Sequence, residues 1–154
     1  MTDEISESQA SIRPVPKNRD AFPAFRQIAT RWMDVDVYGH VNNVHYLSFF
    51  DTAVNAWNIE KGLLDSATSS EIFLVVETGC HYFAELVFPE TIDVGLSISK
   101  IGSSSVVYEI GLFKPGMESA AAQGRFVHVL TDRTTRRPVQ LSAEMCAALE
   151  LLIT

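Results

Sequence analysis

The sequence predicts an α+β fold, an antiparallel sheet packed against one long buried helix. Three observations predict it. Between Asn43 and Lys61, Leu47, Phe50, Val54 and Trp57 recur at three- and four-residue spacing, and Phe49 and Ala53 widen the same face. From Thr91 onward the period drops to two: Ile92, Val94, Leu96 and Ile98 alternate with small or polar residues, and Val106, Tyr108, Ile110 and Leu112 repeat the spacing. Strand signals then follow one another without intervening helices, which segregates the long helix from a mostly antiparallel sheet.

In chain order, residues 1–22 are polar, carry Ser, Pro and Lys, and show no period. They are expected to form a flexible N-terminal arm ahead of a single domain at 23–154. Phe25 to Met33 reads as a first strand. The helix spans about Asn43 to Lys61, with Asn42 or Asn43 able to cap its start and Gly62 able to end it. Ile72 to Leu86 is β-rich and reads as one strand before a turn at Phe88-Pro89. Gly102-Ser103-Ser104 separates the two alternating runs, and Lys114-Pro115-Gly116 follows the second. Ala122 to Thr131 is a further strand. Ser142 caps a short closing helix whose body is Glu144 to Leu151. The four strands after the long helix are expected to form antiparallel meanders.

At 154 residues the chain has the length of one domain, and 47% hydrophobic with 20% charged residues is ordinary for a globular protein. A net charge of −7 argues against nucleic acid as the main partner, since phosphate binding needs a basic field. No apolar run approaches the ~18 residues of a membrane span. The first twenty residues contain no apolar h-region, so a cytoplasmic location is expected. Cys80 and Cys146 form no CxxC and no ligand-spaced cluster, which reads as two thiols in a reducing compartment without a metal site.

The densest polar segment runs from Arg31 through Asp34, Asp36, Tyr38, Gly39, His40, Val41, Asn42 and Asn43 to Tyr46, joining the first strand to the buried helix. A helix start offers free N–H groups and partial positive charge, and an adjacent carboxylate can act on a carbonyl held there. On residue chemistry alone Asp36 is equally a turn carboxylate.

The spacing of Asp34-Val35-Asp36, Gly39-His40-Val41-Asn42-Asn43 and Tyr46 resembles the hydroxybenzoyl-CoA thioesterase-like branch of the hotdog acyl-CoA thioesterases. The resemblance continues through Glu77, Phe83, Phe88-Pro89-Glu90, Gly102-Ser103-Ser104-Ser105 and Thr135-Arg136-Arg137-Pro138-Val139, covering roughly Phe25 to Leu149. It implies a hotdog fold, an antiparallel sheet wrapped around one long helix. It also implies hydrolysis of an acyl-CoA to free acid and CoA, with no cofactor beyond the CoA of the substrate, in a homodimer or homotetramer. The catalytic carboxylate of the family maps onto Asp36, as nucleophile or general base. The donor that polarises the thioester carbonyl maps onto the backbone N–H of Asn43. Asp34 is expected to be structural, bonding Arg31 or the turn backbone. His40 has a positioning or packing role, with ordering of water or substrate as the alternative. Tyr46 lines the acyl pocket or packs in the core. Gly102, Ser103 and Ser104 border the pantetheine tunnel or form a plain hairpin turn. Arg136, with Arg133 and Arg137, meets the carrier or forms a solvated basic turn.

Two other functions fit the same scaffold. A hotdog dehydratase or hydratase would pair His40 with Asp51 on the helix, although Val41-Asn42-Asn43 replaces the Gly-His-Phe-Pro run expected there. A non-catalytic acyl-thioester binder would not need the carboxylate at Asp36.

Overall fold

The computed structural model describes residues 13–65 and 67–154. Five strands form one antiparallel sheet: β1 (Ala24–Ala29), β2 (Glu71–Tyr82), β3 (Thr91–Ile101), β4 (Ser105–Phe113) and β5 (Ala122–Asp132), in the spatial order β1-β3-β4-β5-β2. Helix α1 (Asn43–Glu60) lies between β1 and β2 in sequence and packs on the sheet, and α2 (Ala143–Leu149) closes the chain. This is the expected hotdog arrangement. Only β3, β4 and β5 form a meander. The expected four-strand succession differs at β2, which pairs with β5 at the far edge rather than with β3.

Helix α1 starts and stops where local chemistry dictates. The Asn42 side chain accepts the Val44 N–H at 3.1 Å, satisfying a donor that has no helical partner. At the other end Gly62 takes φ +70°, its N–H bonds Ile59 O at 3.0 Å, and Leu63 N–H bonds Asn58 O at 2.8 Å. That paired 5→2 and 6→1 closure needs the left-handed conformation glycine adopts freely. The helix buries Tyr46, Phe49, Phe50, Ala53, Val54, Trp57 and Asn58. They meet Ile92, Val94, Leu96 and Ile98 of β3, and Val106, Tyr108, Ile110 and Leu112 of β4, all fully enclosed. Each such apolar side chain contributes about 1.5–3 kcal/mol. Gly124 on β5 lets the helix approach, because a Cβ there would overlap the Phe50 ring and the Gly79 carbonyl.

Three boundaries differ from expectation. β1 ends at Ala29, and Trp32–Asp34 is a 3-10 turn, because the Asp34 carboxylate turns back to accept the Arg31 N–H at 2.7 Å. β2 ends at Tyr82, because Phe83 and Ala84 both donate to Ala121 O, at 2.8 and 2.9 Å, and leave the ladder. Lys17 to Phe22, expected within the flexible arm, are docked. Lys17 O accepts Ala120 N–H at 2.9 Å, Arg19 pairs with Asp93 at 2.8 Å, and Phe22 is buried in a small cluster with Phe113 and Ala120. The absence of side chains at Gly95 and Gly111 gives the Phe22 ring its seat. Residues 1–12 of the expected arm lie outside the described residues. In α2, Ser142 caps as expected, accepting Met145 N–H at 3.1 Å, and the last turn tightens to a 3-10 helix at Glu150–Leu152.

Candidate active site

The segment between β1 and α1 is a knot of short-range bonds. Asp34 has no exposed surface, and its carboxylate accepts the Arg31 N–H at 2.7 Å and the Arg31 guanidinium at 2.8 Å, with His45 Nδ1 3.6 Å away. Burial alone pushes this carboxyl up; the hydrogen bonds and charge of Arg31, with His45 adding, outweigh burial and hold it below the ordinary aspartate value. The Asp34 carbonyl also receives the Asn42 N–H at 2.8 Å, which ties the loop to the helix cap. Asp34 is thus structural, as expected, and His45 takes part in the same lock.

Asp36, two residues on, has a different setting. It is half-buried, and its Oδ1 accepts the Tyr38 N–H at 2.8 Å. Its backbone closes a tight turn: Gly39 N–H bonds Asp36 O and Asp36 N–H bonds His40 O, both at 3.1 Å. Gly39 sits at φ +88°, a conformation glycine supplies without strain. Val41 N–H then bonds Leu86 O at 2.8 Å and anchors the turn to the segment after β2.

These constraints open a cleft of 470 Å³ in which Asp36, His40, Asn43 and Tyr46 meet Tyr82 and Glu85. The Val44 and His45 N–H groups are taken by Asn42, whereas the Asn43 N–H has no acceptor among the described residues. An open donor at the first helical position, with the helix dipole behind it, suits an oxygen that gains negative charge. Tyr82 Oη reaches Asn43 O at 3.4 Å, and Tyr46 Oη accepts the Leu86 N–H at 3.3 Å, so the two phenols brace the helix start. Burial pushes the Tyr82 phenol up to about 12 and the Cys80 thiol up to about 11, so neither supplies a nucleophile near neutrality. The His40 ring stacks on Tyr38, and its Nε2 lies 3.7 Å from Glu85 Oε1.

Four of the expected site residues therefore converge, and four do not. Gly102, Ser103 and Ser104 form the turn between β3 and β4, whose next residue, Ser105, pairs with Val129. The cleft borders the other end of β5, where Ala122 pairs with Tyr82. Arg136 sits in the turn beyond β5, at φ 61°, with its N–H on Asp132 O. None of the four borders this cleft. Tyr82 and Glu85 were absent from the sequence-based site, since nothing in their local pattern marks them. Asp51 lies exposed on α1, where its carboxylate accepts from Asn55, and it does not share the cleft with His40.

The comparisons place this hotdog fold among the thioester hydrolases. Residues 30–149 match the model of the thioesterase-like superfamily, and the chain belongs to that family. It is 47% identical to the PA5185 protein of Pseudomonas aeruginosa strain PAO1, whose crystal structure superposes with a TM-score of 0.88 over 91% of this chain and 98% of that one. It is 27% identical to the long-chain acyl-CoA thioesterase FadM of Escherichia coli strain K12, over 82% of this chain and 97% of that protein. It is also 25% identical to the uncharacterized protein YsmA of Bacillus subtilis strain 168, over 60% of this chain and 63% of that protein.

Proposed function

We propose that the protein hydrolyses acyl-CoA thioesters, with Asp36 as the catalytic carboxylate and the Asn43 N–H as the donor to the thioester oxygen. The observation that carries this reading is the single cleft shared by a half-buried carboxylate and an unoccupied N–H at a helix start. As general base, Asp36 takes a proton from water while the water oxygen attacks the thioester carbon. The carbonyl electrons move onto an oxyanion that the Asn43 N–H and the helix dipole stabilise. Collapse expels the CoA thiolate, which recovers the proton from Asp36. As nucleophile, the Asp36 carboxylate attacks the carbon itself, releases the thiolate, and leaves a mixed anhydride that water cleaves. A thiol of pKa ~8.5 leaves without strong acid help, so no further acid is required.

His40 and Tyr46 form walls of the substrate cleft in this reading, His40 held toward Glu85 and Tyr46 fixed by its bond to Leu86. Gly102, Ser103, Ser104 and Arg136 reach a thioester only when a second protomer brings them to it. The His40–Asp51 pair that a dehydratase would use is not assembled. Similarity to FadM supports CoA as carrier, and two free thiols suit a reducing, cytoplasmic setting.

Free-thiol release from a panel of short, medium, long and aromatic acyl-CoAs tests the activity, and no turnover above background on any of them sinks it. Asp36→Asn is expected to lower kcat by at least about 100-fold with the fold intact by circular dichroism. Near-normal turnover by that variant would move the chemistry away from Asp36.

A further inference from the structure

A second groove, of 730 Å³, adjoins the Asp36 turn. Its walls are Trp32, Val35, Val37 and Phe88, and it shares Asp36 and Tyr38 with the catalytic cleft. Trp32 and Val37 are 81% and 94% exposed, although Trp32 already packs edge-to-face on Phe88 at 5.9 Å between ring centroids. Large apolar side chains held this open beside the proposed catalytic carboxylate mark a surface that a ligand covers.

A thioester held at Asp36 must send its two arms in different directions, and the two grooves differ in the side chains that line them. The cleft on the Asn43 side carries, beside Val41, Phe83 and Ala84, the His40 ring, the Glu85 carboxylate and the Tyr82 hydroxyl that reaches Asn43 O. Those groups match the amides and hydroxyl of a pantetheine arm, which would lose hydrogen bonds in an apolar channel. Apart from the shared turn and the helix cap, the second groove offers only aliphatic and aromatic walls. We propose that this groove binds the acyl group of the substrate, and that the acyl group is uncharged and apolar. The proposal rests on the thioesterase reading for its substrate and for the turnover arm of its test, whereas the binding arm needs no turnover.

Trp32 reports the test directly. The chain has two tryptophans, and the other, Trp57, is buried. In a Trp57→Phe protein, S-decyl-CoA, a thioether that cannot be hydrolysed, is expected to shift Trp32 emission to the blue and to saturate, while CoA alone at the same concentration leaves it unchanged. Should Trp57→Phe fold poorly, the same shift is read in the parent protein and must vanish in Trp32→Phe. In turnover, Trp32→Ala is expected to raise KM for decanoyl-CoA about tenfold and to leave KM for acetyl-CoA within about twofold, since only the longer acyl group fills the groove. The proposal is overturned if S-decyl-CoA fails to bind by calorimetry or binds without moving the emission. It is equally overturned if CoA alone moves the emission as far, which would put the carrier arm in the groove. A ligand-free shift that follows protein concentration and dimer mass would overturn it too, by showing a second copy over Trp32. If no acyl-CoA is turned over yet S-decyl-CoA still shifts Trp32, the hydrolase reading falls and the groove stands.

Discussion

Asp34 and Asp36 stand two residues apart and are chemically unlike because of where the backbone puts them. Asp34 is sealed in and bonded to Arg31, which favours its charged form and occupies its oxygens. Asp36 is half-buried, lines the cleft and gives Oδ1 to the Tyr38 N–H, and no bond of its Oδ2 is found among the described residues. A third titratable residue, His128, bears on stability rather than on chemistry. It is buried among Phe73, Tyr108 and Phe126, its Nδ1 has no partner, and burial pushes its pKa down from 6.5 to about 4. The folded-state pKa lies below the unfolded value, so between them the unfolded chain binds more protons and stability falls as pH falls. Between pH 7 and pH 5 this residue is expected to account for about 2 kcal/mol of lost stability. Denaturant melts of the parent and His128→Leu at both pH values check this. An equal acid loss in the two proteins would show that His128 is not its source.

At the level of elements, the contact of α1 with the sheet depends on a missing side chain. Gly124→Ala is expected to destabilise the protein by about 1–3 kcal/mol, because the Phe50 ring and the Gly79 backbone must give way together. A denaturation midpoint within error of the parent would show that the helix shifts freely. The elements also show what a sequence displays and what it hides. Both ends of α1 were legible, since Asn42 and Gly62 act on backbone groups within a few residues of themselves. The ends of β1 and β2 were not legible. One is set by a carboxylate turning back on Arg31, the other by Ala121 capturing two N–H groups from a distant part of the chain. The site divides the same way. Its loop half, Asp36 to Tyr46, is contiguous and was proposed through a family resemblance, whereas Tyr82 lies 39 residues from the Asn43 carbonyl it reaches and has no local signature. Phe22 escaped notice for the same reason: its burial depends on glycines on two later strands.

For the whole molecule, the sheet order leaves β2 as a twelve-residue edge, with Val75 and Val76 45% and 61% exposed beside a register shift. A long strand with free N–H and C=O groups and exposed valines invites pairing with another chain. The opposite edge, β1, is only six residues long and is preceded by the docked Lys17–Phe22 segment. The expected assembly is therefore a homodimer that joins two β2 edges antiparallel and makes one continuous sheet. Light scattering should give twice the protomer mass, and Val76→Lys, which places like charges near the junction, should shift the mass toward the monomer. Turnover should fall with the dimer if a second protomer brings the Gly102-Ser103-Ser104 turn or Arg136 to the thioester. A Val76→Lys monomer with full turnover would confine the active site to one chain, and a monomeric parent protein would remove the assembly itself.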